Sequence, residues 1–221
     1  MVLIGLSLAG DINAQIVKAN KLVDEGNVIN DKNRELIGKS RDLHVELFGD
    51  ILAKVEDIKA YKEKNKSKFD ELINLFGQVE RLNAEITDKY EQASKLKVPE
   101  KYKEYVGIKI QEFKKRNVGY KFLISFIKEF LQTNDVDKIN KLMVDLDKQA
   151  TDIGKEAAKL SEKAGQIAKD NPKVIKIKNW RIKIPLRNFL VNWWSFSSFY
   201  AYAIEKCLEH FSDINYGIRQ K

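Results

Sequence analysis

The chain has 221 residues, of which 43% are hydrophobic and 33% charged, with 11 glycines and only 3 prolines. That composition suits long helices with solvated outer faces, since an average domain is ~25% charged. A net charge of +8 favours an anionic surface, and the single Cys207 permits no intramolecular disulfide and leaves the redox compartment open.

Residues 1–10, MVLIGLSLAG, are apolar and uncharged. They are too few to span a bilayer, which takes about 20 residues, and they lack the positive start of a secretory signal. Two readings stand: an apolar turn packed on the body of the protein, or the remnant of an export signal. From Asp11 to Lys64 apolar residues recur at steps of three and four (Ile12, Ile16, Ala19, Val23, then Ile37, Leu47, Ile51, Val55, Ile58). That period predicts an amphipathic helix. Asn30, Asn33, Ser40 and His44 fall where apolar residues are expected and form a polar seam. Gly26 and Gly49 each weaken a helix by about 1 kcal/mol relative to Ala, so a kink or division is expected near one of them. The polar run Lys64-Asn65-Lys66-Ser67 is expected to make the first turn.

A second helix follows on Phe69, Leu72, Phe76, Val79, Ile86, Tyr90 and Ala93 and stops at Val98-Pro99, because proline pushes the preceding residue out of helical geometry. Pro99 also suits the first position of a third helix, which carries Tyr102, Val106, Ile110, Phe113, Tyr120, Ile124, Ile127 and Leu131. Thr133-Asn134-Asp135 reads as a turn and N-cap. The fourth helix has the cleanest stripe, from Ile139 through Leu146, Ile153 and Leu160 to Ile167, and ends at Asn171-Pro172. Three helices of matched length with short connections predict antiparallel neighbours, and each apolar stripe must be buried somewhere. The expected fold is therefore all-α: an elongated, coiled-coil-like four-helix bundle over residues 11–171, with an N-terminal apolar segment (1–10) and a C-terminal appendage (172–221).

That appendage differs in chemistry. Residues 172–221 hold 9 Lys+Arg against 3 Asp+Glu, 10 of the 22 aromatics and all three tryptophans. Lys173 to Ile184 alternates with period two, and a turn at Asn179-Trp180 would make a short hairpin, although its stacked cations oppose pairing. Asn188 to Ile204 is uncharged and aromatic, with a narrow polar stripe at helical spacing. The expected contact residues are Trp180, Arg181, Lys183, Arg187, Trp193, Trp194, Phe196, Phe199 and Tyr200. Three readings compete: the tail folds back to complete the core, it lies in a membrane interface, or it contacts nucleic acid. Tryptophan and tyrosine flanked by cations suit the interface. Nucleic acid is disfavoured, because the near-neutral bundle offers no extended basic face.

Catalytic chemistry is hard to assemble from this sequence. It has no Gly-rich phosphate loop and no dinucleotide fingerprint. A di-iron bundle needs Glu-x-x-His pairs, whereas Arg41 precedes His44 by three and Cys207 precedes His210 by three. Cys207 and His210 supply only two soft ligands, too few for a closed zinc site. His44 reads as a hydrogen-bonded core residue. The charge runs Lys62-Glu63-Lys64 and Lys114-Lys115-Arg116 read as solvated faces. No catalytic residue, cofactor or metal is expected, and the chain is read as a non-enzyme.

Two resemblances add to this. Leu8-Ala9-Gly10 resembles the end of a prokaryotic lipoprotein or secretory signal, but Asp11 stands where the lipid-bearing cysteine would be, so lipidation is not implied. The predicted architecture is similar to the extracytoplasmic four-helix sensor domains of bacterial chemoreceptors, a likeness of fold that carries no ligand residue across. An up-down-up-down bundle brings both chain ends to one side. The expected function is thus a scaffold or interaction protein, cell-surface or membrane-peripheral, touching a membrane surface or a protein partner through its tail. A ligand-sensing bundle and a cytosolic coiled-coil assembly are the alternatives, and a homo-oligomer stays open.

Overall fold

The structure, a computed structural model, describes residues 3–54 and 57–176. These residues form five helices: α1 (Leu3–Lys54), α2 (Ile58–Lys64), α3 (Lys66–Ser94), α4 (Glu100–Gln132) and α5 (Val136–Asp170). Among the described residues there is no strand. The four long helices pack as an antiparallel bundle. Glu25, Asn33 and Glu46 of α1 meet Lys89, Asn83 and Lys68 of α3 in that order, so one helix rises as the other descends. Glu91 and Glu80 of α3 meet Lys114 and Lys121 of α4, and Lys115 of α4 meets Glu156 of α5. The closest backbone packing follows chain order, α1 on α3, α3 on α4 and α4 on α5.

The first helix departs from expectation. It runs unbroken through Gly26 and Gly49, and from Leu3 onward the apolar opening is part of it rather than a turn. The division comes later, where Asp57 caps α2 by accepting the amide of Ala60 at 3.0 Å. Conversely, Lys64-Asn65-Lys66-Ser67 does not reverse the chain. Helical bonds cross it, from the Asn65 amide to the Tyr61 carbonyl (3.0 Å) and from the Phe69 amide to the Asn65 carbonyl (3.1 Å). Its polarity marks a solvated face, while a single capping aspartate marks the true helix start.

The later boundaries lie close to the sequence reading. α3 ends at Ser94, four residues before Val98, and Pro99 sits as the extended N-cap of α4 rather than inside it. Asp135 caps α5 by accepting the amides of Asp137 and Lys138 at 3.0 and 3.2 Å. α5 ends at Asp170, capped by Asn171.

Two hydrophobic clusters fill the bundle. Toward the loop end, Leu47, Phe48, Phe69, Phe76, Phe126, Phe130, Met143 and Leu146 pack together. Toward the end where the chain begins, Ala19, Val23, Tyr90, Tyr102, Tyr105, Phe113, Ala164 and Ala168 do so. Each cluster draws on α1, α3, α4 and α5, so all four apolar stripes are buried within one chain. Beyond α5 a turn through Pro172 and Lys173 brings Ile175 into the tyrosine-rich cluster, where it is 4% exposed.

Candidate functional site

Two places concentrate groups that a simple bundle does not need. One is the seam between α1 and α3. Asn33 donates from Nδ2 to Oδ1 of Asn83 at 2.7 Å, and both residues are buried. The bond uses half of each amide: Asn33 Oδ1 and Asn83 Nδ2 are buried and make no hydrogen bond. Asn27, nearly two turns away, accepts from the Tyr90 hydroxyl at 3.3 Å, while its own Nδ2 is buried and makes none. A buried amide atom without a partner costs about 1–3 kcal/mol, so this seam is held at some expense.

The remaining predicted seam residues behave differently. Ser40 is buried but turns its hydroxyl back to the Ile37 carbonyl at 3.0 Å, as serine does in a helix. Asn30 is only half-buried. The His44 ring lies 4.6 Å from that of Phe48 and 6.4 Å from that of Phe76. Burial pulls its pKa down to about 3, so the imidazole is neutral at ordinary pH. Of the four, Asn33 brings an open amide oxygen into the interior.

Sequence reasoning missed Asn20 and Asn27. The available signal was the spacing Asn13, Asn20, Asn27, one asparagine every seven residues, which keeps them on one stripe. It also misread parts of two charge runs as solvated. Lys62 is 5% exposed, its ammonium 4.2 Å from the Phe130 ring centroid and bonded to the Thr133 carbonyl; burial lowers its pKa. Arg116 turns inward to Glu112, which is almost fully buried and also receives Lys109 at 2.6 Å. Burial pushes the Glu112 carboxyl up, but the two cations outweigh it and hold it below the usual carboxylate value. Both runs place one cation on the inward face, which a count of charges cannot reveal.

The second place is the end of the bundle where α1 begins and α5 ends. Asn20 of α1 donates from Nδ2 to the Val174 carbonyl at 3.4 Å and accepts the Lys176 amide at 3.3 Å. It also accepts the Tyr102 hydroxyl at 3.2 Å, so one asparagine ties α1, α4 and the residues leaving α5. Trp180, Arg181, Lys183, Arg187, Trp193, Trp194, Phe196, Phe199 and Tyr200 lie outside the described residues, as do Cys207, His210 and the turn of the expected hairpin.

Among the described residues no group of three His, Cys, Asp or Glu is placed to hold a metal ion, and no helix is long and apolar enough to cross a membrane. No protein-family model, no curated protein and no solved structure matches the chain.

Proposed function

We propose that this chain is a non-enzymatic scaffold or interaction protein, cell-surface or membrane-peripheral, that meets its partner surface with the end of the bundle where α1 begins and α5 ends. The observation that carries the reading is the Asn20 clamp, which ties the exit of α5 to the first third of α1. The tail that follows Lys176 carries half of the chain's net charge of +8 and all three tryptophans, and Lys176 itself is bonded to Asn20 in the helix that opens with LIGLSLAG. Cations and interfacial aromatics presented together favour an anionic lipid surface. Flotation with phosphatidylserine-containing and with pure phosphatidylcholine vesicles tests it, comparing the full chain with one ending at Lys176. The end point matters because Ile175 belongs to the core. Binding of the full chain to anionic vesicles, lost on truncation, is the expected result. Equal recovery of both chains, or no flotation of either, rejects lipid contact through the tail.

A second reading, an extracytoplasmic ligand-sensing bundle, is favoured by one observation: the open amide atoms of Asn27, Asn33 and Asn83 in the α1–α3 seam. These groups are uncharged and include two donors and one acceptor, which suits a small neutral guest able both to accept and to donate. A thermal-shift screen of small amides and polyols, repeated on Asn83→Leu, tests it. A shift that survives the substitution places the ligand elsewhere. The stripes buried within one chain leave the intermolecular coiled-coil reading without support.

A further inference from the structure

We propose that the middle of α1, residues 24–46, is a separable segment that lifts from α3 while α3, α4 and α5 stay packed. The inference goes beyond both functional readings and needs neither lipid nor ligand.

The argument begins with what α1 buries. Between Val23 and Leu47 no hydrophobic side chain of α1 is fully buried; the buried positions are Gly26, Asn33, Ser40 and His44, with Ile29, Leu36, Ile37 and Leu43 half covered against the core. At either end of this stretch the helix is anchored by apolar side chains, Ala19 and Val23 on one side, Leu47 and Phe48 on the other. α3 is not so divided: Phe76, Val79, Ile86 and Tyr90 are buried along the matching length. The opening of a segment is governed by the apolar contacts it must give up, and on its own side the middle of α1 gives up half-covered aliphatic chains rather than fully buried ones.

Hydrogen bonding points the same way. Asn27 Nδ2, Asn33 Oδ1 and Asn83 Nδ2 share one seam, and lifting α1 returns all three to water. Asn117 Oδ1 on α4 and Asp147 Oδ1 on α5 are buried in the same condition, but one on each helix. What lifting breaks is the Asn33–Asn83 and Tyr90–Asn27 bonds, the His44–Phe76 ring contact, the packing of four half-covered aliphatic chains, and ion pairs at the margins such as Glu25–Lys89, whose side chains are partly solvated. The seam therefore specifies the register of α1 better than it holds α1 down.

Native-state hydrogen exchange of the full chain, read peptide by peptide by mass spectrometry, decides the matter. Peptides from 24–46 are expected to exchange at least ~10-fold faster than buried peptides of α4 in the same sample, with a weaker dependence on denaturant. Asn33→Leu with Asn83→Leu, which makes the seam apolar, is expected to slow the 24–46 peptides alone. Exchange of α1 and α4 in step, in the native chain, overturns the proposal. So does a double variant that slows every helix equally or none. Should the double variant not fold, the comparison within the native chain decides by itself.

Discussion

The two ends of the bundle solve one packing problem with different chemistry. At the loop end, Phe48 stands among Phe69, Phe126 and Phe130 with ring centroids 5.7, 5.4 and 5.2 Å away, in tilted and edge-on arrangements. These rings have no polar tip, so shape and dispersion alone decide their fit. At the terminal end the large side chains are Tyr90, Tyr102 and Tyr105, set against small ones, Ala19, Ala93, Ala164 and Ala168. Burial pushes all three phenols above their usual pKa, so each stays protonated and its hydroxyl needs a partner. Tyr102 finds Asn20, and Tyr90 finds Asn27. The loop end thus grips α1 by volume, whereas the terminal end addresses it by hydrogen bonds that fit in only one register.

Truncation tests that contrast most strongly. Phe48→Ala empties a space that four aromatic neighbours cannot close and should cost about 3–5 kcal/mol, read as a fall in the urea midpoint with an unchanged slope. Tyr102→Phe keeps the ring and removes one hydrogen bond, for about 1 kcal/mol. If the two costs were equal, the division between a volume end and an address end would fail.

Acid should find the loop end next. His44 has a pKa of about 3 in the fold against the ordinary 6.5 of a solvated imidazole, because burial disfavours the imidazolium. The neutral form is the one that folds, so its contribution is complete above pH 6.5 and is lost as pH falls toward 3. At about 1.4 kcal/mol per pH unit, the loss near pH 4.5 is roughly 2.7 kcal/mol. Denaturation curves between pH 7 and pH 4.5 should show it, and His44→Phe should flatten the slope. Glu112 acts lower on the scale: its folded pKa is depressed, so its contribution is present above about pH 4.5 and lost below. Glu112→Gln, measured at pH 7, should cost about 2 kcal/mol. That lies under the 3–5 of a fully buried pair, because Lys109 and Arg116 keep 16% and 18% of their side-chain surface in water. A neutral result would mean that both cations rehydrate without loss.

The sequence made the helices and their partners legible because heptad stripes are long and redundant. Phe69, Val79, Ile86 and Tyr90 all point to one face of α3, and no single exception obscures them. It misplaced the break in the first helix because that depends on a single cap, Asp57, while Gly26 and Gly49 are tolerated inside a helix stabilised elsewhere. At the seam, Asn33 was visible as a polar residue on an apolar stripe. Its partner Asn83 was not, since pairing across helices depends on register, and register emerges only when both helices are packed. The inward turn of Lys62 and Arg116 was hidden for a related reason. A charged side chain faces inward when a carbonyl or carboxylate from elsewhere meets it, and the local run does not encode that.

Two glycines of α1 give the finest test of how tightly the terminal end is addressed. A methyl group at Gly38 would meet nothing within 4 Å, whereas one at Gly26 would lie 3.1 Å from Cε2 and 3.5 Å from Cδ2 of Tyr90. Alanine in either place relieves the backbone entropy that glycine carries in a helix, a gain of about 0.5–1 kcal/mol. At Gly38 nothing opposes that gain, so Gly38→Ala should raise the urea midpoint. At Gly26 the Tyr90 ring must retreat by a few tenths of an ångström. It is buried against Tyr105 and Phe113 and tied to Asn27, so retreat means disturbing three contacts. Gly26→Ala should therefore bring no gain or a loss of up to about 1 kcal/mol, in the range of mild overpacking. Opposite signs would show that Tyr90 lies against the α1 backbone only because position 26 has no Cβ. Equal stabilisation by both substitutions would instead mean that the tyrosine end yields as readily as open solvent, and the register of α1 would then have to be set by the phenylalanine end alone.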